Sequence, residues 1–455
     1  MTAVTDDHLQ GLSGFSGELL RPADAGYDEA RAIHNGLIDK RPALIARCRS
    51  ASDVAAALAF ARTHGLDVSV RGGGHNVAGI CLVDDGLVVD LSQMKDISVD
   101  VAGKTATAGP GVMWGEFNDA TQAHGLATTG GVVSTTGIAG LTLGGGIGWL
   151  MPKYGLATDN LLSAEVVTAD GRTLTASDDE NADLFWGLRG AGANLGVVTS
   201  FTYRLHEVGP IITGGRILHP FPVAADLLRF FREVTADLPD ELMAVAGLVH
   251  APDGSGAKAA GMVVCHCGSP EQAAKNLEPF LSFGSPVDTQ VGPLPYSVLN
   301  TAIDESFPRG ALNYWKSGFA AELSDEAIDT AVDRFAACPS PQTLCIFEHF
   351  HGAVCRVPVE ATAVPLRQPG YNYLAASVWT DPAATDENVA WTRETFAAMG
   401  PYLGNRRYVN YLSADDTAGD PVRAAYGSNY DRLAELKATY DPDNVFRSNV
   451  NIVPG

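Results

Sequence analysis

Three consecutive glycines at the end of a β-branched run constrain this chain more than any other feature. Asp67-Val-Ser-Val70 reads as a strand, and it empties directly into Arg71-Gly-Gly-Gly-His-Asn-Val-Ala-Gly79. Only glycine allows the positive φ and close approach that let successive N–H groups converge on an anion. Arg71 adds a charge-assisted donor beside that cradle. A phosphate cradle has no need of an imidazole, so His75 asks for a separate explanation. Taken alone, the same letters also describe a glycine-rich turn with a hydrogen-bonded histidine.

The neighbouring segments place the loop. Ala43–Cys48 reads as a buried strand. Ser50-x-x-Asp53 resembles a capping box, and Val54, Ala57, Leu58 and Ala61 keep helical spacing up to Gly65. With Asp67–Val70 this makes a βαβ unit, and the glycine loop sits at the carboxyl end of its second strand, where α/β sheets bind ligands. Strands at Leu87–Leu91 and Thr105–Thr107 and a helix from about Val112 to His124 follow. Gly125 to Pro152 then runs without a charge and with nine glycines. Such a segment would expose its backbone in lipid, so a ligand-facing loop system for a large flat cofactor is expected instead of a membrane span. Asp170-Gly171, between Leu162–Ala169 and Arg172–Ala176, marks a hairpin. Gly190-Ala-Gly-Ala-Asn-Leu-Gly196 imitates a dinucleotide fingerprint, but it follows a helix and precedes a strand, the reverse of the Rossmann order.

From about His206 the texture changes. Helices expected over Ala224–Ala236, Pro270–Phe283 and Asp325–Ala337 alternate with strands at Met243–His250, Gly261–Cys267, Cys345–Cys355 and Tyr371–Trp379. That pattern is a second, α+β domain, as a length of 455 residues leads one to expect. A formal net charge of −22 argues against nucleic acid or an anionic membrane as partner. Cys265-His266-Cys267 puts two thiols on one strand face without a second pair, so no metal is expected. The first twenty residues carry no apolar signal core, which makes a reducing, cytoplasmic setting the expectation.

Several motifs now occur together and in order: Arg71-Gly-Gly-Gly-His-Asn76, Gly137-Ile-Ala-Gly-Leu-Thr-Leu-Gly-Gly-Gly-Ile-Gly148, Lys153-Tyr-Gly-Leu-Ala-Thr-Asp-Asn160, Gly190–Thr199, and a tail from Tyr430 through Tyr440-Asp-Pro to Asn451-Ile452. In this combination the chain resembles the berberine bridge enzyme-like branch of the vanillyl-alcohol oxidase/p-cresol methylhydroxylase flavoproteins, over nearly its whole length. The resemblance implies a two-domain α+β fold of the p-cresol methylhydroxylase type. Residues 1–206 and 402–455 would form the FAD domain, and residues 207–401 a substrate domain whose sheet covers the flavin. The loop Arg71, Gly72, Gly73, Gly74, His75, Asn76 and Val77 would hold the pyrophosphate, with His75 carrying a covalent 8α link. Ser134, Thr135, Gly137, Ala139, Gly140, Thr142, Gly145, Gly148 and Val198 match flavin-contacting positions. Asn449 and Asn451 are placed to meet the ring or its ribityl chain.

Two departures and two further expectations follow from the resemblance. Many relatives attach the flavin a second time through a cysteine whose position here is Val133, so a single link is implied. Thr136 stands at the oxygen gate and, being close to valine in shape, is expected to leave it open. Trp315, Glu348, Phe350 and Trp379 resemble substrate-facing residues. If Phe347–Ala353 is a strand, Glu348 and Phe350 share one face while His349 and His351 pack on the other. Tyr408-Val-Asn-Tyr411 matches the family's Tyr-x-Asn-Tyr, which makes Tyr411 the expected base and Tyr408 the reserve. A tyrosine base needs a cation or donor nearby, and Arg406 and Arg407 are the candidates in sequence. The implied activity is oxidation of a C–H next to O or N in a small sugar, alkaloid amine, phenolic or polyketide, with O₂ as acceptor and H₂O₂ as product. A dehydrogenase with another acceptor and a non-catalytic flavin-binding protein are the competing readings. Monomer and homo-oligomer both fit, and pocket shape, not motif, decides the substrate.

Overall fold

The computed structural model describes residues 4–12, 14–416 and 420–455. Ser50 caps the helix Ala51–His64 by accepting the Asp53 N–H, and Gly65 ends it at φ 64°. The Asp53 carboxylate does not close a box on Ser50. It accepts instead from the Ser16 and Arg49 amides and the Ser16 hydroxyl. Strands β1 (Glu18–Leu20), β2 (Leu44–Arg47), β3 (Val68–Arg71) and β4 (Leu87–Asp90) form a sheet in the order β1-β2-β4-β3, with β4 parallel to both its neighbours. β3 is therefore an edge strand, and its glycine loop leaves the sheet at a free corner.

β5 (Ile97–Asp100) and β6 (Thr105–Ala108) open a second, antiparallel sheet, while the short strand β7 (Leu126–Ala127) stands apart. β8 (Leu161–Val167), β9 (Thr173–Ser177) and β10 (Val197–Arg204) complete that sheet in the order β5-β6-β10-β8-β9, and β11 (His206–Glu207) returns to pair with β7. The Asp170-Gly171 turn joins β8 to β9 as expected, with Gly171 at φ 89°. Trp114, Phe117 and Tyr203 meet edge-on in the core beneath.

The middle of the chain builds a third layer. β12 (Ile211–Pro220), β13 (Leu242–His250), β14 (Lys258–His266), β15 (Asp288–Pro295), β16 (Leu312–Ala320), β17 (Leu344–Phe350) and β18 (Gly370–Trp379) form an antiparallel sheet in the order β15-β12-β14-β13-β17-β18-β16. Helices Ala224–Val234, Pro270–Ser282, Asp325–Ala336 and Thr385–Met399 bury one face of it through Leu227, Phe231, Phe280, Ile328, Phe335 and Trp391. The opposite face, with Trp315, Ile346 and Leu374, looks toward the glycine loops. The expected strand Cys345–Cys355 stops at Phe350, because Gly352 turns at φ 69° and Ala353–Arg356 is helical. β12 and β15 were hidden by glycines and prolines inside them, Gly214, Gly215, Gly292 and Pro293.

Two polar clamps join distant segments. Arg367 grips Asp159 with two bonds of 2.6 and 2.7 Å in a buried contact. Near the C-terminus Lys437 is fully buried on helix Tyr430–Tyr440. Its Nζ donates to Asp441, Asn194 O and Phe446 O at 2.6, 2.9 and 3.1 Å. Asp441 in turn accepts the Val445 and Phe446 amides, so the tail is folded back against the β9–β10 connection. All seven cysteines are free thiols. Among the described residues no helix is long and apolar enough to cross a membrane, and no metal-ligand cluster gathers.

Candidate active site

The two glycine clusters touch backbone to backbone. A Cβ on Gly73 would lie 2.6 Å from the Gly137 Cα, and one on Gly137 would lie 2.6 Å from the Gly73 N. Gly74, at φ 67°, turns the chain out of this contact. Beside it opens a cleft of about 1690 Å³, its open mouth included. Among the described residues no Lys, Arg, Asp or Glu lines it.

The cleft brings together many of the expected residues. Gly72, Gly73, Gly74, His75, Asn76, Thr136, Gly137, Ala139, Gly140, Val198 and Asn449 line one part, and Trp315, Tyr408 and Tyr411 another. Val133 lines it too. Other expected contacts are elsewhere. The Arg71 guanidinium donates to the Ala30 and Ala32 carbonyls, which fastens the loop to the end of the short helix Tyr27–Arg31 and takes this charge away from the cleft. Val77 packs into the apolar cluster around Phe307. The amide and hydroxyl of Ser134 are both given to Asp304, and Thr135 points to solvent. The Thr142 hydroxyl bonds the Tyr203 hydroxyl at 2.8 Å. Gly145 backs onto the Tyr408 ring, and Gly148 onto the Gly130 carbonyl, where a Cβ would lie 1.9 Å away. Asn451 is off the lining. Asn449 reaches it, but its amide already bonds Asn194 and the Phe446 carbonyl. Phe350 packs edge-on against Phe319, and Trp379 sits with Leu312 and Tyr314, its indole N–H on Thr385. Neither lines the cleft.

Sequence reasoning missed part of the wall. Gly192, Ala193 and Gly196, from the false dinucleotide fingerprint, line it. Ile303, Phe307, Ile346 and Leu374 supply apolar surface. For Ile346 and Leu374 the alternation of β17 and β18 was signal enough, since they share a face with Glu348 and Asn372. His349 and His351 stack on each other on the other face, and His349 also packs on Tyr371, a sheet-packing role.

His75 stacks on His34, with ring centroids 3.8 Å apart and planes 25° apart. Burial pushes the imidazolium of His75 down to about 3 and that of His34 to about 4. Both rings are neutral at pH 7, and the buried Nε2 of each has no hydrogen-bond partner. His34 also ties the loop down, donating its amide to the Gly74 carbonyl at 2.9 Å.

Tyr408 and Tyr411 flank a single 3₁₀ turn, so their rings share a face and meet edge-on at 4.8 Å. The Tyr408 oxygen accepts from Gly146 N, Ile147 N and Asn410 Nδ2 at 3.0–3.2 Å. Burial nevertheless holds its phenol up at about 12. Tyr411 donates to Glu348 Oε1 at 3.1 Å, and Asn372 Nδ2 donates to Oε2 at 2.7 Å. Burial first, then the Glu348 charge, lifts the Tyr411 phenol well above 10. Burial also raises Glu348 to about 7, partly opposed by its two donors. Glu348 therefore stands behind Tyr411, not on the cleft wall. The cation expected beside Tyr411 is absent from these bonds: Arg407 donates to the Gly404 and Arg406 carbonyls and covers Phe396.

An FAD fits these residues. The glycine corner lines the cleft with backbone whose N–H groups are not spent on other carbonyls, and a neutral imidazole nitrogen lacks a partner beside it. Comparison with known proteins agrees. A profile described as "FAD binding domain" matches residues 42–177, and one described as "Berberine and berberine like" matches residues 407–453. An FAD-linked oxidoreductase of Dictyostelium discoideum is 32% identical over 91% of this chain and 89% of its own. (R)-6-hydroxynicotine oxidase of Paenarthrobacter nicotinovorans is 34% identical over 96% of this chain and 97% of its own. The crystal structure of 6-hydroxy-D-nicotine oxidase from Arthrobacter nicotinovorans superposes with a TM-score of 0.87 at 31% identity, covering 97% of this chain and 98% of that one.

Fold and cleft thus define an FAD-dependent oxidoreductase with the two-domain α+β architecture of the p-cresol methylhydroxylase type. The chain belongs to the berberine bridge enzyme-like FAD-linked oxidoreductases.

Proposed function

We propose that this enzyme is an oxidase that removes a hydride from a C–H next to O or N of a small organic substrate, with FAD bound through His75 alone and O₂ as the final acceptor, giving H₂O₂. The observation that carries the reading is a phenol on the cleft wall whose proton already points at a carboxylate. Loss of hydride from a carbinol or amine carbon is helped when the neighbouring O–H or N–H proton leaves. Tyr411 by itself is a poor acceptor, because its phenol lies far above neutral pH. With Glu348 at about 7, the substrate proton passes to the Tyr411 oxygen as the phenolic proton passes to Glu348 Oε1. Neither group then carries a full new charge into the apolar cleft. Bound flavin would supply the two-electron acceptor and the onward path to O₂.

The other roles follow from position. The glycine corner would hold the pyrophosphate with backbone N–H groups, without the Arg71 side chain. His75, neutral and unpartnered at Nε2, has the lone pair that a covalent bond requires, and Val133 offers no sulfur for a second one. Thr136 lines the cleft and leaves a valine-sized path for O₂. Residues 1–206 with 402–455 form the FAD domain in this reading, and 207–401 the substrate domain. An alkaloid-type amine stands first among the substrate classes because a relative 34% identical is named for hydroxynicotine; sugars, phenolics and polyketides follow. The free thiols are in keeping with a reducing, cytoplasmic setting.

The test is an aerobic screen of those four classes that follows flavin absorbance and peroxide together. Bleaching by one class, with rapid recovery in air and stoichiometric peroxide, is the expected result. Bleaching that air does not reverse makes the enzyme a dehydrogenase. A flavin that no class bleaches removes the catalytic reading.

A further inference from the structure

Residues 300–311 leave the seven-stranded sheet, cross the glycine loops as a strap, and return as β16. Both ends are buckled. Asn300 bonds Asn118 at 3.0 Å and the Gly131 carbonyl, while Gly310 N donates to His34 O and Gly36 N to Ala311 O, each at 2.9 Å. In the middle, Asp304 accepts from Ser134 N at 2.9 Å and Ser134 Oγ at 2.5 Å. A 3₁₀ turn at Asp304–Ser306 puts Thr301, Ala302, Glu305, Ser306 and Arg309 outward and turns Ile303 and Phe307 inward onto the cleft. The inward ring completes a row. Phe307 meets Trp315 edge-on at 5.4 Å, and Trp315 meets Tyr411 edge-on at 5.9 Å.

We propose that Phe307, held inward by the Asp304–Ser134 latch, is a specificity-determining residue that stops the substrate pocket one ring's length from Tyr411. The proposal rests on the reading above, in which the substrate's reacting carbon lies beside Tyr411. From there the body of the substrate extends along Trp315 and ends against Phe307. The walls at this end are Ile303, Phe307, Trp315, Ile346 and Leu374, with no charge among them. The pocket therefore takes a compact apolar ring bearing its amine or hydroxyl at the Tyr411 end. It rejects a longer body by collision, since well-packed apolar walls resist added bulk, and it offers a sugar's hydroxyls no partners along Trp315.

The test uses flavin-loaded protein and two probes, N-methylbenzylamine and its 4-phenyl counterpart, with binding measured by calorimetry so that no turnover is needed. The wild type should bind the single-ring probe at least tenfold more tightly, within the range of discrimination that apolar pockets reach. Phe307→Ala should raise affinity for the two-ring probe, relative to the single-ring probe that loses its end wall, tenfold or more. Asp304→Ala should shift the ratio the same way and quicken tryptic cleavage after Arg309. Asp304→Asn, which still accepts from Ser134 N, should lie between. An unchanged ratio in Phe307→Ala, or binding of neither probe to any of the proteins, overturns the inference. Anaerobic bleaching reads the assigned reaction separately: the binding pattern with no bleaching discards the reaction and keeps the wall.

Discussion

Tyr411 gives its phenolic proton to Glu348, and Glu348 spends its other oxygen on Asn372. A carboxylate, not a cation, is thus what the proposed base leans on. In the proposed reaction the pair acts as one proton acceptor, which gives the first prediction. Tyr411→Phe keeps the ring against Trp315 and Tyr408 and removes only the hydroxyl. Stopped-flow reduction of the flavin by substrate should fall by about 10²–10⁴-fold, the usual worth of a positioned base, with flavin content unchanged. If Tyr408→Phe shows that loss and Tyr411→Phe does not, the two tyrosines exchange roles.

Glu348 also ties the enzyme to pH. Its reduction rate constant should climb as pH rises through about 7, and Glu348→Gln should remove that limb. Stability moves the other way. A carboxyl raised in the folded state favours its protonated form, so its contribution is fully present below about 4.5 and is lost as pH climbs to about 7. At pH 8 Glu348→Gln should therefore be more stable than the parent, by up to about 3 kcal/mol, and at pH 4.5 close to it. Urea titrations at the two pH values measure this; a gain that does not depend on pH contradicts it.

Acid-precipitated protein should remain yellow and carry a single flavin on a peptide containing His75. His75→Ala should still take up FAD when it is supplied in excess, because the backbone cradle is untouched, and should release it on denaturation. A flavin that leaves the parent completely on denaturation, or one found on a cysteine, refutes the single link.

Thr136→Leu adds bulk to a residue on the cleft wall. Reoxidation by O₂ should slow severalfold while anaerobic reduction changes little. Equal reoxidation in both proteins removes the gate from this position.

Lys437→Met leaves the Asp441 carboxylate buried without its cation. Breaking a buried pair in this way costs about 3–5 kcal/mol. The melting temperature should drop and flavin content should fall with it, since Ser448, Asn449 and Val450 line the cleft. Unchanged flavin content would show that the tail finds its place without the clamp.

Local chemistry made much of this legible in the sequence. The Ser50 cap, the Gly65 and Gly125 stops and the Asp170-Gly171 turn are short-range signals, and the structure has helix ends and a turn at each. The glycine clusters were readable because only glycine permits the 2.6 Å approach between Gly73 and Gly137. What failed was direction. Arg71, Ser134 and Thr142 lie in the right loops, but each side chain satisfies a partner, Ala30, Asp304 or Tyr203, that sequence spacing cannot reveal. Phe350 and Trp379 belong to the right strands but lie beyond the cleft's edge. The Glu348–Tyr411 bond spans 63 positions, and Phe307 stands in a segment with no regular period.

The glycine loop and the Ser448–Val450 tail meet in one cleft although the whole seven-stranded sheet is threaded between them. On a ribosome adding about 5–20 residues per second, the loop emerges on the order of twenty seconds to a minute before its partner in the wall. The cleft wall is thus complete only after residues 448–450 have been made, and during that interval the nascent chain carries half of an apolar cleft.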